Sequence, residues 1–371
     1  MKTNETPGAT SKRDFPAIAR KYCDDVLSGK IPACKWVRLA CQRQIDDLAR
    51  PAGDDWQWTF DEDKAARVCK FIELLPHVKG KWSSPLIRLE PWQVFILTTV
   101  FGWIGPDGYR RFARVYIEVP RKNSKSTLTS GVALYMLAAD GENGADVYSA
   151  ATKREQARIV WDDAKRMVDR TEGLRRRFGV ATLAHSITVE SAASKFVALA
   201  SEADSLDGFN LHFGGVDELH AHKTRAVWDV LDSAMGSRRQ PLLWAITTAG
   251  FNRTGVCYEQ RTYVTRILER THVDERYFGV IWTIDLIEKL EDGTETRGDD
   301  WTDPDIWKKA NPSLGISVKE DFLRDECLRA KESPPKQNSF RRLHLDQWTA
   351  QESRWIDMGV WAEGGREFDV A

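Results

Sequence analysis

"EVPRKNSKSTLTSG" (118–131) joins three textures end to end. Upstream, in "ARVYIEVP", Val115, Ile117 and Val119 alternate with other residues, the period of a strand. Downstream, Leu128, Val132 and Met136 fall on one stripe of a helix. Between them lies a basic loop, Arg121 to Ser126. A strand that runs through a basic loop into a helix is the layout of a phosphate cradle, because the helix start offers free N–H groups and the positive end of its dipole. The full template is G-x-x-x-x-G-K-[ST]. Aligned on Lys125-Ser126, its two glycine positions hold Val119 and Ser124. The groups that meet phosphate survive: Lys125 can reach the β- and γ-phosphates, and the Ser126 hydroxyl can ligate Mg²⁺. Arg121 and Lys122 add charge, Asn123 is a residue that tolerates positive φ almost as glycine does, and Thr127 extends the nucleotide-binding run. An isolated RKNSKS is equally an ordinary basic turn.

Three other segments favour the phosphate cradle. "FGGVDELHAH" (213–222) is an apolar strand ending in an acidic pair. Asp217 there would hold the magnesium shell and Glu218 would polarise the attacking water. "AITTAG" (245–250) ends the next strand in Thr247, Thr248, Ala249 and Gly250, whose hydroxyls could sense the terminal phosphate. "LEPWQVF" (89–95) offers the Gln93 carboxamide, which can accept from N6 of adenine and donate to N7. Each has a plain alternative, respectively an acidic helix cap, a glycine-closed strand end and a surface amide. Their order along the chain is that of a nucleotide-driven motor core.

The remainder of the 371 residues sets bounds. At 42% hydrophobic, the chain has enough apolar material for a large core and two packed units. Its 54 basic and 55 acidic residues nearly cancel, so no global field draws it to nucleic acid or membrane, and any polyanion contact must be local. Six scattered cysteines form no C-x-x-C pair, which suits reduced thiols rather than a disulfide framework or a zinc site. The apolar run "VFILTTVFGWIG" (94–105) is far short of the roughly 20 residues needed to span a bilayer. A soluble, intracellular protein is expected.

Residues 1–14 are expected to be disordered. Residues 15–82 read as an N-terminal helical segment, with "DEDKAARVCKFIELL" capped by Asp61 and stopped by Pro76. Residues 83–255 alternate strands with helices, which implies βαβ units and a mostly parallel sheet. After Gly250 the alternation fades, and 256–371 is expected to form a small appended unit. Its elements are a helix ("CYEQRTYVTRILER"), a strand ("FGVIWTID"), a polar helix ("KEDFLRDECLRAKE") and a strand-like "FRRLHLDQW".

Taken together, "RLEPWQVF", "VPRKNSKS", "GGVDELHAH" and "TTAG" resemble the ATPase domain of phage terminase large subunits, of the HK97-like tailed-phage type. "ATKREQARIVW", "SEADSLDGFN" and "WKKANPSLGISV…FRRLHLDQW" extend the likeness over roughly residues 30 to 360. The resemblance implies an α/β, P-loop NTPase-like fold: a mostly parallel sheet flanked by helices, with a small C-terminal linker or lid subdomain. It implies an ATP- and Mg²⁺-dependent motor that drives double-stranded DNA into a procapsid in the cytoplasm of the infected host cell. The motor would work as a self-associated ring on the portal protein, with the small terminase subunit as partner and no membrane. Carried over by position, Gln93 is the adenine-recognition glutamine and Arg121 to Ser126 the variant Walker A loop. Asp217 and Glu218 become the Walker B pair, and Thr247 to Gly250 the coupling motif. Arg121 is the cation available in cis, while "SEADSLDGFN" contains no arginine to act in trans. Ser124 departs from the glycine usual in the family.

Family members also carry a C-terminal nuclease. The short segment after Trp355 holds Asp357, Glu363, Glu367 and Asp369 but cannot build a sheet, so the chain is expected to be the ATPase portion, truncated or from a split gene, without nuclease activity. Three other functions compete. A zinc or manganese hydrolase could be built on Asp217, Glu218, His220 and His222, although the histidines serve equally as packing or hydrogen-bonding residues. A helicase-like remodeller would share the ATPase core. A nucleotide-binding scaffold would turn over slowly.

Overall fold

The structure, a computed structural model, describes residues 13–349 except 52, 54, 81, 83, 153, 200–209 and 288–293. Asp14, at the edge of the segment expected to be disordered, caps the first helix: its side chain accepts from the Ala17 N–H at the start of α1 (Phe15–Leu27). Helix α2 (Lys35–Ala49), the two-residue strand β1 (Thr59–Phe60) and α3 (Glu62–Ile72) follow, and Asp61 caps α3 as its sequence predicts. Helix α4 (Pro91–Gly102) is apolar on every side and buried over nearly its whole length. Such a helix is stable only inside a core. Helices α1 and α3 pack against it, and β2 (Trp103–Ile104) pairs back to β1. Among the described residues, no helix is long and apolar enough to cross a membrane. All six cysteines are buried and free.

From here the chain alternates. Strand β3 (Arg114–Glu118) leads into α5 (Lys125–Ala138), then β4 (Asp146–Ala150), α6 (Arg154–Asp169) and α7 (Glu172–Phe178). Three short strands follow: β5 (Val180–Thr182), β6 (Ile187–Val189) and β7 (Ser194–Leu199). Next come β8 (Leu211–Asp217), α8 (Ala226–Ser233), β9 (Leu242–Thr247), α9 (Val256–Leu268) and β10 (Tyr277–Ile281). The sheet order is β10-β3-β9-β8-β4-β7-β6-β5. Pairing is parallel from β10 through β7, and antiparallel only for β6 and β5 at one edge.

Strands β8 and β9 are buried from end to end, which explains their continuous apolar runs: helices cover both faces. The glycine pair in β8 lets α5 lie close, since a Cβ on Gly215 would stand 3.1 Å from the Thr129 methyl of α5 and 2.9 Å from the Phe213 ring. Because β9 lies between β3 and β8, with Glu118 opposite Thr247 and Asp217 opposite Ile246, the three strands end level. In an open parallel sheet that end is where ligands bind.

The expected boundary at 255/256 falls inside this unit. Helix α9 packs on β10, and β10 is a full parallel partner of β3, so both belong to the sheet. A second, smaller core begins at Ile284 and includes Trp307, Val318, Leu323, Cys327, Phe340 and Leu345. It is built on α10 (Trp307–Ala310), α11 (Glu320–Lys331) and α12 (Pro334–Leu345). The strand-like "FRRLHLDQW" is therefore corrected: through Leu345 it is helical. Pro334 and Pro335 start α12, and Phe340 and His344, one turn apart, meet at 5.6 Å. The apolar alternation at Leu343 and Leu345 mimicked a strand.

Candidate nucleotide site

The loop expected to cradle phosphate does join β3 to α5, and it achieves its turn without glycine. Lys122 (φ 73°) and Ser124 (φ 57°) both take the left-handed conformation that favours glycine. Ser124, at the second glycine position of the template, is the N-cap of α5 and makes no side-chain cap hydrogen bond. A side chain there costs roughly 1–2 kcal/mol of backbone strain. Asn123, which tolerates positive φ, does not adopt it. It is fully buried and faces away from the cleft: its amide donates to Pro120 O at 3.2 Å and to Asn311 Oδ1 at 3.1 Å, and its oxygen accepts from the Ser313 N–H at 3.1 Å. Asn123 thus ties the loop to the second core, and both ends of its carboxamide are engaged.

The Lys125 ammonium is buried and rests on two carbonyls of its own loop, Val119 O at 3.1 Å and Pro120 O at 3.3 Å. It also stands 3.9 Å from Glu218 Oε1. One residue on, the Ser126 hydroxyl donates to Asp217 Oδ2 at 3.1 Å. Residues more than ninety positions apart in sequence thereby converge on one point. The cleft beside them, of about 630 Å³, is lined by Arg121, Lys122, Ser124 to Thr127, Asp217, Glu218 and His220, and also by Lys79, Gln156 and Asp163.

The acidic pair is electrostatically split. Burial, and then the charge of Glu218, push the Asp217 carboxyl up to about 6, against the opposing pull of Lys125 and Ser126. Burial acts to raise Glu218 as well, but Lys125, His220 and Arg121 outweigh it and hold that carboxyl down at about 2. Glu218 also has a left-handed backbone (φ 51°), a strain typical of functional positions. Its Oε2 accepts from the Thr248 hydroxyl at 3.2 Å and lies 3.2 Å from His220 Nδ1. His220 Nδ1 also meets the Thr247 hydroxyl at 3.1 Å. A Cβ on Gly250 would stand 3.0 Å from the Trp348 ring and 3.2 Å from His220 Cβ, so any side chain there would press on both.

These contacts bear on metals. Two oxygen ligands adjacent on an octahedral Mg²⁺, each at about 2.1 Å, lie about 3 Å apart; Ser126 Oγ and Asp217 Oδ2 have that spacing and are hard oxygen donors. The residues present therefore fit magnesium. The His220 and His222 pair does not extend this to a zinc set. Among the described residues, no three His, Cys, Asp or Glu side chains converge to hold a metal. His220 is engaged with Thr247 and Thr248, and burial, the largest influence on it, depresses the His222 imidazole to about 4.

Residues 91–266 match the family described as terminase large subunit, ATPase domain. This segment is a terminase ATPase domain. The chain is 40% identical over 155 residues to protein YmfN of Escherichia coli (strain K12), covering 42% of this chain and 32% of that protein. It is 24% identical over 309 residues to the terminase large subunit of Enterobacteria phage HK97, covering 80% of this chain and 56% of the relative. The solved HK97 large terminase shares the fold at a TM-score of 0.63 and 23% identity, over 81% of this chain and 58% of that one. The chain thus spans a third to somewhat over half of the length of these relatives.

In the terminase ATPase domain, Arg121, Lys122, Ser124, Lys125, Ser126, Thr127, Asp217 and Glu218 line one cleft. Thr247, Thr248 and Gly250 stand directly behind Glu218. Gln93 does not line that cleft. It is buried, and its side-chain oxygen accepts from the Glu90 N–H at 2.9 Å in a capping box at the start of α4, so the accepting half of its carboxamide is already used. The segment "SEADSLDGFN", apart from Asn210, and the carboxylates after Trp355 lie outside the described residues. Sequence reasoning missed Glu118, Asn311, Ser313, Asp346 and Trp348. An available signal was "HLDQW", which sets an acid between apolar residues.

Proposed function

We propose that the chain is the Mg²⁺-dependent ATPase of a phage DNA-packaging motor. The observation that carries this reading is the meeting of Lys125 and Ser126 with Asp217 and Glu218 at the ends of neighbouring strands. When bound, magnesium would be held by Ser126 and Asp217 and would supply positive charge against the phosphates. Every other role falls to the chain's own groups.

Lys125 rests on neutral carbonyls and would exchange them for phosphate oxygens, a stronger, charge-assisted partnership. That transfer takes from Glu218 the cation that does most to hold its carboxyl down. Glu218 becomes more basic as substrate arrives, which suits it to orient and polarise the attacking water. Thr248 and His220 keep its side chain in place. Arg121, exposed on the rim, supplies positive charge towards the γ-phosphate.

The wider role follows from likeness to the relatives. Double-stranded DNA would be the translocated substrate, moved in the host cytoplasm by a ring of these chains working with a portal protein and a small terminase subunit. The test is ATP turnover with and without DNA for wild type, Lys125→Ala and Glu218→Ala. Both variants are expected to lose turnover by about two orders of magnitude or more, while Glu218→Ala still binds ATP. Wild-type turnover that survives Lys125→Ala would refute the reading.

A further inference from the structure

The second core meets the catalytic end of the sheet through one short segment. After α12 the chain turns at Asp346, left-handed at φ 56° and fully buried. Its Oδ1 accepts the Ala249 N–H at 2.6 Å, inside the 247–250 turn. The Thr283 hydroxyl donates to the backbone oxygens of Leu345 and Asp346, at 3.1 and 3.0 Å, and fixes the bend. Two residues on, Trp348 lays its ring against Gly250 and donates its indole N–H to both oxygens of buried Glu118, 3.2 Å each. Glu118 is the last residue of β3 and immediately precedes Val119 and Pro120, whose carbonyls hold Lys125.

Asp346 is an uncomfortable place for an anion. It follows the negative end of α12 and neighbours Glu118, and among the described residues its Oδ2 has no hydrogen-bond partner. Burial, then Glu118, drive its carboxyl well above the usual carboxylate range. What it holds is the N–H of the residue after Thr248, whose hydroxyl meets Glu218.

We propose that Asp346 is a positioning residue for hydrolysis, clamping the Ala249 N–H so that Thr248 presents its hydroxyl to Glu218 and the second core stays tied to the coupling turn. The inference rests on the ATPase reading above. It predicts that hydrogen-bond acceptance by Asp346, rather than its charge, is what counts.

The test compares wild type, Asp346→Ala and Asp346→Asn in Mg²⁺-ATP turnover and in hydrogen exchange of peptides covering 247–250. Asp346→Ala is expected to lower kcat at least about tenfold with KM for ATP within about twofold, since the phosphate contacts are untouched. The same variant should speed exchange in that turn by about tenfold or more. Asp346→Asn, whose Oδ1 still accepts, should keep kcat within about threefold and exchange near wild type. Unchanged kcat in Asp346→Ala, a matching rise in KM, or an Asp346→Asn as impaired as Asp346→Ala would each overturn the proposal. Should Asp346→Ala fail to fold, Asp346→Asn decides alone. If wild type hydrolyses no ATP, the functional reading fails separately, and exchange in the 247–250 turn that stays unaltered in Asp346→Ala, or speeds up in Asp346→Asn, still rejects the clamp.

Discussion

Replacing Lys125 with methionine removes one ammonium and keeps most of the side chain's volume. At 3.9 Å from Glu218, in an environment of effective dielectric about 20, that ammonium interacts with the carboxylate by about 4 kcal/mol. Lys125 is nearly buried and Glu218 less than a third exposed, so solvent screens this only in part. The variant also takes from the Val119 carbonyl its Lys125 donor, at about 1–3 kcal/mol of desolvation, while Pro120 O keeps the Asn123 amide. Two results follow. The metal-free variant should unfold at lower urea concentration than wild type, and kcat should fall by about 10²–10³ because the charge developing on the phosphates loses its fixed cation. Lys125→Arg keeps the charge but not the compact ammonium, and should recover little. Turnover measured by phosphate release at saturating Mg²⁺-ATP checks this. A Lys125→Met enzyme within about threefold of wild type would refute the electrostatic argument.

Other positions give independent checks. Ser124→Gly relieves a left-handed serine and should raise stability by about 0.5–1 kcal/mol, measured by chemical denaturation, with no loss of ATP binding. Gly250→Ala drives a methyl to 3.0 Å from Trp348 and 3.2 Å from His220; thermal unfolding should show about 1–3 kcal/mol of destabilisation, with reduced kcat as His220 is displaced. His344 is buried, and burial first, then Arg121 and Lys122, hold its imidazole down at about 4. An unfolded histidine titrates near 6.5, so the folded protein is fully stabilised above that pH and loses stability as pH falls towards 4, by about 2 kcal/mol at pH 5. His344→Phe, which keeps the ring contacts with Phe322 and Phe340, should remove this sensitivity: its advantage over wild type in urea unfolding grows by about 2 kcal/mol between pH 8 and pH 5.

Much of the fold was legible because its signals are local. The alternation in "ARVYIEVP", the helical stripe after Lys125 and the apolar run before Asp217 each declare an element, and parallel order follows from alternating strands with helices. The convergence of Lys125, Ser126, Asp217 and Glu218 was legible for the same reason, since they flank the ends of neighbouring strands. What escaped depends on distant packing. Nothing near Asn123 in sequence tells that its carboxamide is occupied by Asn311 and Ser313. Positive φ fell instead on Lys122 and Ser124, because the tether fixes the residue between them. Gln93 looked available until the capping box at Glu90 was visible. "RRLHLDQW" alternates as a strand would, yet tertiary packing around Trp307 and Phe340 makes most of it a helix end and strap.

A structure determined with Mg²⁺ and a slowly hydrolysed ATP analogue bears on the central claim most directly. It should show the terminal phosphates against Lys125, the metal shared between Ser126 and Asp217, and Glu218 facing the γ-phosphate across one water. A triphosphate bound elsewhere, for example in the mixed-charge cleft near Arg225, Arg253 and Arg266, with Lys125 still resting on Val119 and Pro120, would contradict it.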